Sequence, residues 1–175
     1  MLMNDQSQSD LQRAVWELQQ REQITTTLIN YCVNVDRNDP VALGEEVFAE
    51  DGCFELGARY AVVGRENLEK MFAKTLAVFT STSHHLSNVR IRLTGDTTAE
   101  STAYVYAWHL SAVDGKRIDL WGRYEDRLVL TAKGWRIANR RLSAAGSDGW
   151  DNPPFDLPER LPNPLNPPSP AITKR

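Results

Sequence analysis

The sequence has few cysteines, no long apolar run and no apolar leader, and each absence narrows what the chain can be. Only Cys32 and Cys53 occur, without patterned spacing. We expect them to be reduced, buried residues rather than a disulfide or a catalytic thiol. No stretch approaches the roughly 18 apolar residues that a membrane helix needs, and the polar N-terminus lacks the apolar segment of a secretory signal. We therefore expect a soluble cytoplasmic protein with no membrane partner.

The charge balance argues against a nucleic-acid partner. Lysine and arginine together number 20, against 23 aspartate and glutamate residues, for a formal net charge of −3. The basic clusters are Arg136 with Arg140 and Arg141, and the Lys174-Arg175 end. Both are too short to follow a phosphate backbone.

Helical patterns dominate the first half of the chain. At 175 residues with 41% hydrophobic residues, the chain suits one domain with its own core and a tail. After a polar leader over residues 1–9, Asp10 is the expected N-cap of a long helix that ends near Asp36, before turn residues and Pro40. The further predictions are a short helix over Val41–Phe48, a hairpin from Cys53–Leu56 and Arg59–Val62, and a third helix from Gly64 to about Phe79.

From Leu86 onward, apolar residues alternate with polar ones, which predicts strands. The predicted strands are Leu86–Leu93, Ala99–Ala112, Arg117–Leu130 and Trp135–Leu142. Long strands joined as a meander bury one face, and the preceding helices can cover it. The sequence therefore predicts an α+β domain over residues 10–143: a conical, curved antiparallel sheet wrapped around a long N-terminal helix, with an apolar pocket for a hydrophobic small molecule.

The tail, residues 144–175, differs in composition. Eight of the nine prolines lie between Pro153 and Pro170, so this segment can form neither a helix interior nor a central strand. Apolar residues such as Trp150, Phe155 and Leu157 favour a segment draped over the domain or a neighbouring subunit over complete disorder.

Three groups of residues are candidates for chemistry. Tyr31 and Asp36 lie at the end of the long helix, His84 and His85 precede the first long strand, and His109 lies on the second; these are all the histidines. A neutral histidine can take a proton from carbon, and a carboxylate fixes its tautomer and stabilises the imidazolium. A tyrosine hydroxyl can donate to a carbonyl oxygen that gains charge. Such a set suits proton abstraction beside a carbonyl followed by loss of water.

Several segments resemble SnoaL-like domains of the nuclear-transport-factor-2-like superfamily. They are Tyr31-Cys32-Val33-Asn34-Val35-Asp36 with Phe48-Ala49-Glu50-Asp51, Ser83–Ile91 followed by Gly95-Asp96-Thr97-Thr98-Ala99, and Gly134-Trp135-Arg136-Ile137. The resemblance covers roughly Arg21–Leu142. Its branch of scytalone dehydratase and bile acid 7α-dehydratase implies Tyr31 as the pocket tyrosine, Asp36 and His84 as a catalytic dyad, and His109 as a second histidine.

The same residues also have non-catalytic interpretations. Asp36 could end the helix in solvent, Tyr31 could be a core residue, and His84 could bond the backbone in a loop. His109 could be a surface or core residue, and which of His84 and His85 faces the pocket stays open. A spacing of five residues does not place Tyr31 and Asp36 on one face of a regular helix, so their convergence requires the helix to loosen near Asp36.

Two hypotheses of function follow. The first is a cofactor-independent lyase (dehydratase) or isomerase acting on a hydrophobic cyclic, steroid- or polyketide-like substrate. His84 would be the general base, Asp36 its partner, Tyr31 the oxyanion donor, and His109 an aid to the leaving hydroxyl. The second is a non-catalytic small-molecule-binding or accessory module with the same fold. Neither requires a metal or an organic cofactor, since the sequence has no phosphate-binding glycine run and no convincing metal-ligand spacing. Pairing of exposed sheet faces, usual for this fold, predicts a homodimer or homotrimer.

Overall fold

The architecture is a six-stranded sheet packed on a long helix. A computed structural model describes residues 5–57, 60–150, 155–158 and 161. The helices are α1 (Asp5–Asp36), α2 (Pro40–Ala42), followed by a π-helical turn (Leu43–Val47), and α3 (Arg65–Leu76). The strands are β1 (Phe48–Glu55), β2 (Ala61–Val63), β3 (Phe79–Leu93), β4 (Thr98–Ser111), β5 (Arg117–Thr131) and β6 (Gly134–Asp148).

The sheet is mixed rather than wholly antiparallel. The strand order is β2-β1-β6-β5-β4-β3, and the β1–β6 pair is parallel while the other neighbours are antiparallel. A parallel pair needs a long crossover connection, and α3 with four strands supplies it between β1 and β6. The predicted α+β class, with a curved, unclosed sheet around a long N-terminal helix, is confirmed. The prediction that the sheet is entirely antiparallel is wrong at this one pair.

The buried stripe of α1 holds the helix against the sheet. Ile24, Leu28, Tyr31 and Val35 follow the helical period and are all buried. Burying an aliphatic side chain of this size contributes roughly 1.5–3 kcal/mol. Polar contacts fix the position of the helix along the sheet, because the Trp135 indole N–H donates to the Gln20 amide oxygen at 3.0 Å.

The first helix begins earlier than predicted. Asp10 is an interior residue of α1 rather than its N-cap, and residues 5–9 are helical rather than a leader. Neither glycine nor proline interrupts this stretch, and the Gln6 side-chain amide donates to the Asp10 carboxylate one turn later at 3.2 Å. The apolar side chains of this part, Leu11, Val15 and Leu18, are exposed.

Three other boundaries differ from the prediction. The stretch predicted as a helix over Val41–Phe48 divides into α2 and the π-helical turn, and β1 already begins at Phe48. Strand β3 begins at Phe79, which was predicted to end the third helix. His84 and His85, which were predicted to precede the first long strand, therefore lie within it. Cross-strand pairing with β4 drives this, since Thr82 lies opposite His109.

Strand β6 extends into the predicted tail. It continues to Asp148 instead of ending at Leu142, because it pairs with β5 as far as Asp119. Within β6, the Ala144 N–H donates to the carbonyl of Asp156, which follows the strand, at 2.8 Å. Phe155 packs against the core. Phe155 and Asp156 thus contact the domain, whereas the Leu157 side chain is exposed. Arg59 of the predicted hairpin and most of the proline-rich tail lie outside the described residues. Among the described helices, none is long and apolar enough to cross a membrane.

Candidate functional site

An apolar cavity of about 240 Å³ lies between α1, α3 and the inner face of the sheet. Apart from the Trp150 indole, its polar lining side chains are Tyr31, Thr75, His84, His109 and Tyr124. A larger depression of about 540 Å³ lies around β3, β4 and β5, but no histidine is among its lining residues in the described chain. His84 and His109 line the smaller cavity.

Asp36 reaches the cavity wall from the last turn of α1. The helix ends just after it in a Schellman motif, in which the Asn38 N–H donates to the Val35 carbonyl at 3.0 Å and the Asp39 N–H donates to the Asn34 carbonyl at 2.9 Å. Asn38 adopts the left-handed conformation of this motif, with φ of 55°. Helix α1 therefore stays helical through Asp36, and no loosening before that residue is involved.

The Asp36 carboxylate joins α1 to β3 through three hydrogen bonds. Its Oδ1 lies 2.7 Å from His84 Nδ1 and accepts from the Thr82 hydroxyl at 2.8 Å. Its Oδ2 accepts from the His84 backbone N–H at 2.9 Å. Burial opposes the charge of Asp36, but the hydrogen bonds from the His84 ring and backbone outweigh it and lower the pKa of this carboxyl. Asp36 is therefore an anion at neutral pH.

The contact with Asp36 determines which His84 nitrogen can act as a base. A carboxylate only accepts, so Nδ1 carries a hydrogen, and Nε2 is the nitrogen that can accept a proton when the ring is neutral. The His84 side chain is only 7% exposed and lines the cavity. The pair thus presents the His84 ring, oriented by Asp36, to a mostly apolar space.

The register of β3 and β4 decides between the two adjacent histidines. His84 lies opposite the buried Ala107, on the inner face of the sheet. His85 lies opposite Tyr106 on the outer face, where the two rings stack with centroids 5.9 Å apart. His84 is thus the histidine that faces the cavity.

His109 lies beside His84 on the same inner face. Their ring centroids are 5.3 Å apart and the rings are nearly perpendicular. His109 Nδ1 lies 3.3 Å from the Ile118 carbonyl, to which it can only donate. Burial, together with the nearby His84, lowers the pKa of His109 to about 4. His109 is therefore neutral at neutral pH, with Nε2 left to accept a hydrogen bond.

Tyr31 is both a core residue and a cavity residue. Its ring makes edge contacts with Phe48, Phe54 and Phe72 at centroid distances of 6.1–6.3 Å, and lies 6.5 Å from the His84 ring. Burial raises the pKa of Tyr31 to about 12, although the Arg140 charge opposes this. The hydroxyl thus stays protonated and can donate.

Arg140 and Asp126 form a fully buried ion pair that sequence reasoning missed. Arg140 Nε and Nη2 each donate to one Asp126 oxygen at 2.8 Å. A β-bulge at Ala138 hides the pair from the sequence pattern, because the inward-facing positions shift there from odd to even residue numbers. The available signal was Asp126 itself, which shares a face with the buried Tyr124 and Leu128.

Two aromatic residues beyond β6 complete the cavity lining. Trp150 and Phe155 both line the cavity, and their rings meet edge to face with centroids 5.4 Å apart. Next to Phe155, Asp156 is held by its hydrogen bond with Ala144 and by Arg141, 3.6 Å from its carboxylate. The sequence indicated that these residues drape over the domain, but not that they reach the pocket.

The structure therefore gathers Tyr31, His84 and His109 around one cavity and places Asp36 against His84. Their catalytic roles stay predictions. Within the described parts of the chain, no group of three or more histidine, cysteine, aspartate or glutamate side chains is arranged to hold a metal ion.

Comparisons with known proteins show structures of the same fold. A structure from Novosphingobium aromaticivorans, provisionally named a scytalone dehydratase, is 24% identical with a TM-score of 0.79, covering 85% of this chain and 99% of that one. A provisionally named aromatic ring hydroxylase from the same species is 27% identical with a TM-score of 0.71, covering 76% and 94%. A hexachlorocyclohexane dehydrochlorinase from Novosphingobium barchaimii is 12% identical with a TM-score of 0.71, covering 83% and 99%. Comparison with curated proteins gave no match.

The family assignment depends on the sequence as well as on the fold. At 24% and 12% identity, the structural similarities show a shared fold and not a shared activity. A family model described as the SnoaL-like domain, however, matches residues 16–141. That span runs from α1 into β6 and includes Asp36, His84 and His109, so the predicted resemblance is confirmed. The chain belongs to the SnoaL-like domain family, on the α+β fold of the nuclear-transport-factor-2-like superfamily.

Proposed function

We propose that this protein is a lyase, or a related isomerase, that removes a proton beside a carbonyl group of a hydrophobic cyclic substrate. The observation that carries the proposal is the 2.7 Å contact between His84 Nδ1 and the Asp36 carboxylate at the wall of an apolar cavity. An imidazole held by a carboxylate is a general base poised for neutral pH. Relatives of the same fold are named as a dehydratase and a dehydrochlorinase, which supports elimination chemistry.

The proposed reaction begins with proton transfer from carbon to His84 Nε2. The C–H bond breaks, an N–H bond forms, and the electron pair moves onto the carbonyl oxygen. Asp36 stabilises the imidazolium that results. In a dehydratase, the electron pair then returns to expel a hydroxyl from the adjacent carbon, which leaves as water with the proton held on His84. In an isomerase, the same proton returns to a different carbon.

Tyr31 supplies the complementary donor. Its hydroxyl is protonated at any working pH, since burial raises its pKa to about 12. It can therefore donate to the carbonyl oxygen as negative charge develops there, and removal of such a donor typically costs about 10²–10³ in rate. The apolar surroundings strengthen this hydrogen bond because water is largely excluded.

His109 suits a role in orienting the hydroxyl that leaves. Its Nδ1 hydrogen is directed to the Ile118 carbonyl, and burial lowers its pKa to about 4. A neutral His109 would then accept a hydrogen bond from the substrate hydroxyl rather than donate a proton to it. This assigns proton transfer to His84 and orientation to His109.

The size of the cavity favours a small ring system. At about 240 Å³, it lies below the usual range of about 300–1,000 Å³ for ligand pockets. Between the two substrate types, a polyketide-like compound of one or two rings fits this volume better than a four-ring steroid.

The proposal is tested with a panel of one- and two-ring ketones that carry a hydroxyl on the β-carbon. Water loss is followed by absorbance of the conjugated product, and His85→Ala serves as the matched control for His84→Ala because His85 faces outward. We expect turnover by the wild type and by His85→Ala, and losses of about 10³-fold or more in His84→Ala and Asp36→Asn. Full activity in either of these two variants would refute the assignment.

A different outcome would support the non-catalytic alternative. Panel members that bind without turnover, with equal affinity for the wild type and Asp36→Asn, would indicate a small-molecule-binding module. The homodimer or homotrimer also stays a prediction, which sedimentation equilibrium can measure.

A further inference from the structure

A buried ion pair lies next to the two tyrosines of the cavity. The side chains of Arg140 and Asp126 are both 0% exposed, and Asp126 also accepts from the Ser101 hydroxyl at 3.2 Å. A buried ion pair is no more stabilising than well-packed apolar residues of the same volume in many proteins. Stability alone therefore does not account for charges at this position.

The contacts of Arg140 are divided between a carboxylate and two phenol rings. Its Nη1 is buried and has no hydrogen-bond acceptor among the described residues. Its Cζ lies 4.2 Å from the ring centroid of Tyr31 and 4.0 Å from that of Tyr124. The electron-rich ring faces thus interact with the part of the guanidinium that Asp126 does not neutralise.

We propose that Arg140, held in place by Asp126, is a positioning residue that makes Tyr31 and Tyr124 stronger hydrogen-bond donors toward a negatively charged oxygen in the cavity. A cation against an aromatic face withdraws electron density from the phenol oxygen, so the hydroxyl hydrogen becomes more positive. Arg140 does not line the cavity, whereas both tyrosines do. The inference rests on the proposed function only in naming an oxyanion as the group that Tyr31 meets.

The acidity of the tyrosines is consistent with this role. Burial raises the pKa of Tyr31 to about 12, and the Arg140 charge is the strongest effect that lowers it. The Asp126 charge raises this pKa, but its effect is weaker. Burial likewise raises the pKa of Tyr124 well above its usual value, and Arg140 again opposes the rise. The ion pair therefore acts on both rings mainly through its cationic member.

The test compares a charged and a neutral probe of nearly equal shape. Para-nitrophenol, at a pH where it is ionised in water, presents an aromatic oxyanion, and para-nitroanisole presents a neutral ether. Arg140→Gln is combined with Asp126→Asn, because removal of Arg140 alone would leave a buried carboxylate unpaired. Arg140→Lys keeps the positive charge, and thermal unfolding checks that each variant is folded.

The proposal predicts a selective loss. The double variant Arg140→Gln, Asp126→Asn should bind the nitrophenolate about tenfold more weakly than the wild type does. The reason is that a nearby opposite charge favours the ionised form of a group by about one to three pKa units. Its affinity for para-nitroanisole should stay unchanged, and Arg140→Lys should keep the preference for the anion. These affinities are measured by calorimetry.

Several results would overturn the proposal. Equal losses of affinity for both probes in the double variant would indicate a purely structural ion pair. An unchanged affinity of the double variant for the nitrophenolate, or loss of the preference for the anion in Arg140→Lys, would also overturn it. So would a wild type that binds neither probe. Because the readout is binding, absence of turnover in the ketone panel would refute the proposed function without deciding this question.

Discussion

Replacement of Asp36 by asparagine should destabilise the folded protein at neutral pH and have much less effect in acid. The Asp36 carboxylate accepts three hydrogen bonds, from the His84 ring, the His84 backbone and Thr82, at 2.7, 2.9 and 2.8 Å. Asparagine keeps the shape of the side chain, but it removes the charge and places an amide NH₂ where one oxygen had accepted. At least one of the three donors then loses its partner.

The magnitude follows from the number and kind of these bonds. A hydrogen bond to a charged group contributes about 1.5–3 kcal/mol. The Asp36 side chain is 28% exposed, so water compensates part of the loss, and the remaining amide oxygen still accepts from one or two donors. We expect Asp36→Asn to lower the free energy of unfolding by about 2 kcal/mol at neutral pH.

The dependence on pH has a definite sign. Burial alone would raise the pKa of Asp36, but the hydrogen bonds from His84 and Thr82 lower it below the value of about 3.9 expected in the unfolded chain. Its contribution to stability is therefore fully present above the unfolded value and is lost as the pH falls through the folded value. Asparagine does not titrate, so the deficit of Asp36→Asn should shrink in acid.

Urea unfolding, followed by the fluorescence of the five tryptophans, measures this difference at neutral pH and in acid. Asp96→Asn is the matched control, because the Asp96 side chain is 77% exposed and its pair with Arg13 should contribute less than about 1 kcal/mol. A deficit for Asp36→Asn no larger than that of Asp96→Asn would refute the reasoning. So would a deficit that persists undiminished in acid.

Three further predictions concern the cavity. Tyr31→Phe should lower kcat about 10²-fold or more, since it removes the proposed oxyanion donor, whereas Tyr104→Phe on the exposed sheet face should not; equal kcat values would contradict the role. Trp150→Ala should weaken binding of para-nitroanisole about fivefold or more, because it removes part of the apolar lining, whereas Trp121→Ala should not; equal affinities would exclude the segment after β6 from the site. His109 should titrate near pH 4 by NMR of its ring, and a midpoint above pH 6 would show that burial does not keep it neutral.

Much of the fold was predictable because it depends on periodic patterns. The spacing of Ile24, Leu28 and Val35 predicted the buried face of α1, and alternation predicted the long strands. The Asp36–His84 pair, 48 residues apart in the chain, was suggested by family resemblance rather than by any local pattern. The register of β3 and β4 then placed His84 inward and His85 outward.

The rest depended on features that periodicity does not encode. The bulge at Ala138 shifts the alternation of β6, so alternation does not predict that Arg140, a member of a short basic cluster in the sequence, is completely buried. Asp10 offered a capping signal, but it lies inside α1. The extension of β6 to Asp148 follows from pairing with β5, and no periodic pattern marks Trp150 as a cavity residue.

The most direct test of the account is isotope exchange at carbon. The bicyclic ketone β-tetralone carries exchangeable hydrogens beside its carbonyl, and its deuteration in D₂O can be followed by NMR once binding to the protein has been shown. We expect the wild type and His85→Ala to accelerate the exchange above the buffer rate, and His84→Ala and Asp36→Asn to return it to that rate. Binding without acceleration, or equal acceleration by His84→Ala, would contradict the claim that His84 and Asp36 form a base directed into the cavity.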